Sequence, residues 1–406
     1  MRFLTRFFSP PTTHEYATLF MNKLRELGDT RTWQYDAPQN RLIVPPTDGK
    51  PSGDVVNLGN MYGEYRAAGR RERAEALRRQ AAGMMQRYIP DAFAEARAHL
   101  LPIVRLSTER GQAYLQLGVP EDKRDIAFRP LCDNLEIGLA YDSEYSISRL
   151  NEARLRDWGV TFDEAYAVAL DHLRERSGQA WKALDNGVFV SQFGDLYDAS
   201  RLLLTDLLHR QPISGMPVVM IPSRAVLLLT GDRNDAGLAT LVALAEAVLE
   251  DPRPLSSRML RWTGEHWEIF VPPTLANRLA LLHAKESVGD YGAQKTMLDE
   301  AHAQQGIDIF VATYQAHQGP DGTVVSSCVW SEDVHALLPV TDEMFLHRAS
   351  TGHVVKLPWE RAQQACGHLM AMTPHAPARY EVKAFPPPDL YDALLAEFGN
   401  ASAPQN

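Results

Sequence analysis

Cysteine is scarce in this chain, with only Cys132, Cys328 and Cys366 among 406 residues. An odd count without a C-x-x-C pair excludes a disulfide framework and a zinc ribbon, and free thiols fit a reducing compartment. Long apolar runs are missing as well. No window reaches the ~18–20 apolar residues that a membrane-spanning helix requires, so no membrane partner is expected. The basic, aromatic N-terminus is interrupted by Arg6 and followed by Pro10-Pro11. A secretory signal needs an unbroken apolar core of roughly 7–15 residues, so the expected location is the cytoplasm. Positive charge is also in deficit. Lys+Arg 41 against Asp+Glu 51 gives a formal charge of −10, which opposes general affinity for nucleic acid.

What is present is an ordinary globular composition, 45% hydrophobic and 23% charged, in a chain too long for one core. Two or three domains are expected. Tyr16, Phe20, Leu24 and Leu27 form an apolar stripe at helical spacing, stopped by Gly28. A hairpin over 33–44 follows. Residues 55–85 read as helical, with Arg66, Arg70, Arg71, Arg73, Arg78 and Arg79 interleaved with Glu64, Glu72 and Glu75. Interleaving of this kind marks a solvated face, with Arg71 and Glu75 as an i,i+4 pair. A helix over 91–100 and strands over 101–106, 126–131, 135–141 and 145–150 come next. Thr161 and Glu164 form a capping box.

The section from 188 to 271 reads strand, helix (196–209), two strands, helix (235–250), then a hairpin in which Trp262 and Trp267 flank the turn. Tight turns join most neighbouring strands, which predicts an α+β fold with mostly antiparallel sheets and helices packed on one face. Pro272-Pro273 breaks the chain before a long helix over 274–304. Strands over 307–315, 323–330, 342–346 and 353–357, a helix over 359–370 and a short amphipathic helix over 390–398 complete it. The expected divisions are 12–98, 99–272 and 273–400.

The stretch NGVFVSQFGDLYDASRLLLTDLL from Asn186, with VVMIPSRAVLLLTGDRNDAG after it, resembles the YtpQ-like family of bacterial proteins of unknown function. The resemblance spans about 12–271, and its most specific parts are Tyr197-Asp198-Ala199-Ser200-Arg201 and Asp232-Arg233-Asn234. Leu196 and Ala225 stand where the family usually has Gly and Asp. The resemblance implies a fold but no activity, and it stops before the last third of the chain.

The residues with candidate binding roles are therefore Asp198, Arg201, Asp232, Arg233 and Asn234. Arg201 has the chemistry to clamp an anion that Asp198 orients, or the pair serves the helix start, with Asp198 at its positive end and Arg201 pairing back to it. Asp232–Gly237 resembles half a calcium loop. Ala236 and Ala243 occupy positions where an EF-hand needs oxygen ligands, so capping by Asn234 or Asp235 explains it better. The histidines of the last third lack zinc spacing, so no metal is expected. No G-x-S-x-G, G-x-G-x-x-G or P-loop occurs, so no cofactor is expected. The leading expectation is a non-enzymatic binding or adaptor protein that contacts another protein, with the 390–398 helix as a docking element or folded back on its own domain. The alternative is a hydrolase-type enzyme assembled from distant segments, with Asp198, Arg201, Asp232 and His266 as first candidates.

Overall fold

The computed structural model describes residues 11–45, 55–85, 89–143, 146–178, 180–251 and 254–401. Two compact units divide the chain: Met1–Pro102, Leu139–Arg176 and Glu250–Pro254 form the first, and Ile103–Gly138, Ser177–Leu249 and Leu255–Asn406 the second. The fold class is α+β with mostly antiparallel sheets.

In the first unit the apolar stripe becomes helix Thr13–Glu26, opened by a capping box between Thr12 and Glu15. Tyr16, Phe20 and Leu24 bury themselves with Trp33, Leu42, Tyr65 and Leu77. The expected hairpin forms, and a third strand extends it to the order Gln34–Asp36, Arg41–Ile43, Val55–Asn57. The stretch read as helical from residue 55 thus opens with a strand. It then breaks into helices Gly59–Ala67 and Arg73–Met85. Three of the arginines there engage their neighbours: Arg78 pairs with Glu75 at 2.7 Å, in place of the expected Arg71, and Arg66 and Arg73 lie over Tyr62 and Tyr65. The helix expected over 91–100 shrinks to Phe93–Ala96 and a 3-10 turn, Arg97–His99. Helix Phe162–Glu175 carries the predicted Thr161–Glu164 capping box.

Strands Leu100–Leu106 and Leu135–Asp142 each run from one unit into the other. The second unit is built on a six-stranded antiparallel sheet in the order Trp267–Ile269, Met259–Trp262, Pro217–Ser223, Val226–Gly231, Phe189–Ser191, Trp181–Ala183. Side chains on a strand alternate between faces. Val219 and Ile221 accordingly join one core with Ala199, Leu202 and Leu208. Val218 and Met220 join another with Leu238, Leu241, Leu279 and Leu282. Burial on both faces explains why this strand reads as an unbroken apolar run. Trp262 and Trp267 do meet across the hairpin, with ring centroids 5.5 Å apart.

Helix Ala276–Gln305, 30 residues long, ends at Gly306, whose φ of 67° closes it in the left-handed conformation that glycine adopts without penalty. Beyond it lie two four-stranded sheets. Each contains one parallel pair, Phe310–Val311 with Ala336–Pro339 and Val324–Ser331 with Glu343–Arg348. Both sheets share a core that includes Trp330, Leu338, Leu346, Leu357 and Val382. Helix Pro388–Phe398 folds back onto this core through Tyr391 and Leu394, and Arg348–Asp392 and Arg361–Glu397 pairs flank it. Burying two such side chains contributes roughly 2 kcal/mol each. Among the described residues, no helix is long and apolar enough to cross a membrane.

Candidate functional site

Most of the residues singled out in the sequence make hydrogen bonds or ion pairs within the fold. Arg201 is fully buried, and its guanidinium forms a two-pronged pair with Asp195 at 2.7 and 2.8 Å. It also donates to Ser177 Oγ at 2.8 Å and stacks 3.7 Å from the Phe193 ring. The carboxylate it grips is Asp195, where Asp198 was expected. Asp198 is itself fully buried; its Oδ1 accepts from the Phe193 N–H at 3.1 Å, and its Oδ2 is buried without a hydrogen-bond partner. The helix expected over 196–209 forms only as a 3-10 turn, Ala199–Leu203, and a short helix, Thr205–His209. The cause is local. Asp195 takes the Tyr197 N–H as well as Arg201, and Leu196 is forced to a φ of 66°.

Asp232 accepts from the Met216 N–H at 2.9 Å and stands 3.7 Å from Arg261. Arg233 is exposed. Asn234 accepts from the Gly237 N–H at 3.0 Å, capping helix Asp235–Leu249, while its amide donates to Asn186 O and Thr230 Oγ1. His266 sits in the hairpin turn against Thr263. Cys328 and Cys366 are buried, which pushes their thiols up to about 12 and about 11, far from the thiolate a nucleophile needs. Among the described residues, no group of three or more His, Cys, Asp or Glu is placed to hold a metal ion.

A different set of residues lines a cleft of about 850 Å³ within the second unit. That volume falls within the range typical of small-molecule sites. None of Asp198, Arg201, Asp232, Arg233, Asn234 or His266 lines it. Its main wall is the long helix. His283, Glu286, Ser287, Asp290 and Tyr291 all line the cleft, and their i, i+3, i+4, i+7, i+8 spacing places them on one helix face. Ala276, Ala280 and Ala284 continue that face with small side chains, which leave the space open.

Glu286 ties the opposite wall to this helix. Its carboxylate accepts from the Ser257 N–H at 2.7 Å and from Asn134 Nδ2 at 3.3 Å. Next to it, Asp133 (φ 52°) accepts from Arg258 Nε at 2.6 Å, and Arg258 Nη2 lies 2.8 Å from His283 Nε2. An arginine only donates, so Nε2 is the accepting nitrogen and the neutral ring carries its proton on Nδ1. Burial, reinforced by Arg258, holds the His283 pKa below its ordinary value. Ser287 Oγ is 3.3 Å from the same Nε2. Because Arg258 already occupies that nitrogen, the two residues do not form a nucleophile–base pair.

The floor is clamped by Arg379, fully buried, which donates to Gln294 Oε1 and to the carbonyls of Ala312, Leu337 and Tyr291. Gln294 and Tyr291 hold the 375–378 loop through Pro377 O at 2.7 Å and Ala378 O at 2.9 Å. Gly111 packs so close that a Cβ there would stand 2.3 Å from Ala376 O. Tyr291 and Tyr314 stack at 4.9 Å and 10°, giving the cleft an aromatic surface.

Two features mark this cleft as a candidate site. Thr108 Oγ1, Asn134 Oδ1, Ser257 Oγ and His283 Nδ1 are buried and lack a hydrogen-bond partner, and all four residues line it. Asp290 is the other. Burial pushes its carboxyl up to about 6, Thr108 beside it works in the opposite direction without closing a hydrogen bond of normal geometry, and Glu286 adds repulsion. A carboxyl poised near neutrality in a cleft is a functional-site signature. Compared with known protein families, curated proteins and solved structures, the chain finds no match in any of the three.

Proposed function

We propose that this protein binds a polar small molecule in the cleft beside helix Ala276–Gln305. The observation that carries the reading is the convergence of four unpartnered buried polar atoms on one cavity. Each such atom costs roughly 1–3 kcal/mol while unpaired, and a ligand that supplies partners recovers that cost. The hydrogen-bonded walls and the poised Asp290 support the same reading. The test is Ala280→Trp, which fills the space left by the alanine stripe. Fragments of mixed charge should raise the melting temperature of the parent chain and leave the variant unmoved, with both chains equally folded by circular dichroism. Equal shifts in both would overturn the reading.

A second reading keeps the protein as an adaptor acting through protein contacts. Phe310 and Met372, 53% and 70% exposed, lie on the two outer strands of one sheet and support it. The 388–398 helix, docked at home, does not. The hydrolase-type alternative loses Asp198, Arg201, Asp232 and His266 as its candidates, since none of them lines the cleft. Placement in the cytoplasm rests on the three free thiols, two of them buried. The YtpQ-like resemblance of residues 12–271 gains support from Leu196, whose left-handed backbone suits the glycine usual in that family.

A further inference from the structure

We infer that the cleft takes an organic molecule bearing a protonated amine, seated against Asp290 with Glu286 one helical turn away. The inference rests on the cleft being a binding site, as proposed above, and a count of charge carries it. Arg110 and Arg258 are the guanidinium groups of the wall, and Glu136 and Asp133 cancel them at 3.0 and 2.6 Å. His283 and His375 are both held below the ordinary histidine value, mainly by burial, His375 at about 4. His375 is therefore neutral near pH 7. Glu286, Asp290, Asp342 and Glu360 remain. Among the described residues, no lysine or arginine forms an ion pair with any of the four.

The hydrogen-bonding inventory points the same way. Asn134 Oδ1 can only accept, Asp290 accepts whenever it is ionised, and His283 Nδ1–H is the one obligate donor among the cleft's unpartnered atoms. The hydroxyls of Thr108 and Ser257 belong to residues 2% exposed; Ser257 Oγ has no partner, and Thr108 Oγ1 lies beside the Asp290 carboxyl without closing a hydrogen bond of normal geometry. The complement of such a wall is a donor-rich cation, and an ammonium brings up to three donors with its charge. Glu286 already takes two N–H bonds, so it contributes field, while Asp290 has oxygens to give. The stacked Tyr291 and Tyr314 rings supply surface for the rest of the molecule.

The test titrates three probes of matched size and different charge, benzylamine, benzyl alcohol and benzoate, into the full chain, followed by NMR signals of cleft residues. Benzylamine is expected to bind at least about tenfold more tightly than either other probe. Asp290→Asn should weaken benzylamine roughly 10- to 100-fold and leave benzyl alcohol unchanged. The unaltered chain gives a second readout. Below pH about 6 the amine must expel the Asp290 proton, so its affinity should rise about tenfold per pH unit and then level off. The charged or titratable groups that line the cleft with Asp290 are Arg110 from helix Ser107–Gln116, Glu286 and His283 from its own helix, and Asp133, Arg258, Asp342, Glu360 and His375 from the other walls. Benzyl alcohol or benzoate binding the cleft as tightly as benzylamine, an indifferent Asp290→Asn, or a flat pH profile overturns the amine while leaving a binding cleft. Silence from all three probes overturns both.

Discussion

Asp29 and Asp290 are both aspartates withdrawn from water, one in each compact unit, and they end on opposite sides of the ordinary carboxyl value. Asp29 receives the Arg31 backbone N–H and Nε at 2.9 Å, Arg31 Nη2 at 2.7 Å and the Trp33 indole N–H at 3.0 Å. Those bonds, Arg31 first, hold it down at about 2. For Asp290 burial is the largest influence, with no cation to oppose it and a glutamate for a neighbour, and it rises to about 6. The difference teaches where to look for function. A charge that the fold has answered is part of the fold, and one that it has left unanswered is available to something else.

The sharpest test of the answered class is Arg201. Replacing it with alanine strips the buried partner from Asp195 and Ser177, and the expected loss is about 3–5 kcal/mol by chemical denaturation. A loss near zero would mean that the Asp195–Arg201 station is not held by folding alone, and the comparison would fail at its first member. Asp29→Asn should cost about 2 kcal/mol at pH 7, from a pKa lowered by nearly two units. Asp29 has a depressed value, so its contribution is full above its unfolded value near 4 and disappears as pH falls through about 2. The penalty of the substitution should fade over that interval, and a penalty that persists unchanged at pH 2 refutes the ionic cause.

Asp290 carries the opposite sign and the smallest effect. Its folded value is raised, so the folded chain holds the proton more tightly than the unfolded chain. That contribution is full below about 4 and is lost as pH rises through about 6. Asp290→Asn should therefore stabilise the chain by about 1–2 kcal/mol at pH 7 and by almost nothing at pH 4, measured as unfolding midpoints at the two pH values. An equal gain at both would show that packing, rather than charge, separates the two aspartates.

Much of the fold was legible in sequence because its signals are local. Capping by Thr161 and Glu164, the Trp262–Trp267 hairpin and the long helix need only neighbours to explain them. The strand Ala336–Pro339 escaped because all four of its residues are buried and it pairs with segments far along the chain. The helix expected over 196–209 gave way to side-chain bonds around Asp195 that periodicity does not register. The site was missed for a related reason. Clusters such as Asp198–Arg201 and Asp232–Asn234 attract attention because their residues stand together in sequence, yet each turns to a partner outside the cluster: Arg201 to Asp195, Asp198 to the Phe193 N–H and Asp232 to the Met216 N–H. The cleft gathers Thr108, Asn134, Ser257 and Asp290 across most of the second unit. One signal was present in the sequence: His283, Glu286, Ser287 and Asp290 form a polar stripe at helical spacing inside an otherwise amphipathic helix.

Because one continuous helix supplies the main wall, that wall depends on angular phase. A single residue inserted between Ala284 and Glu286 would swing Asp290 by about 100° and carry it out of register with Thr108, whereas four inserted residues would nearly restore the angle. A change of chain length at this point therefore disturbs the wall least when it comes in near-whole turns.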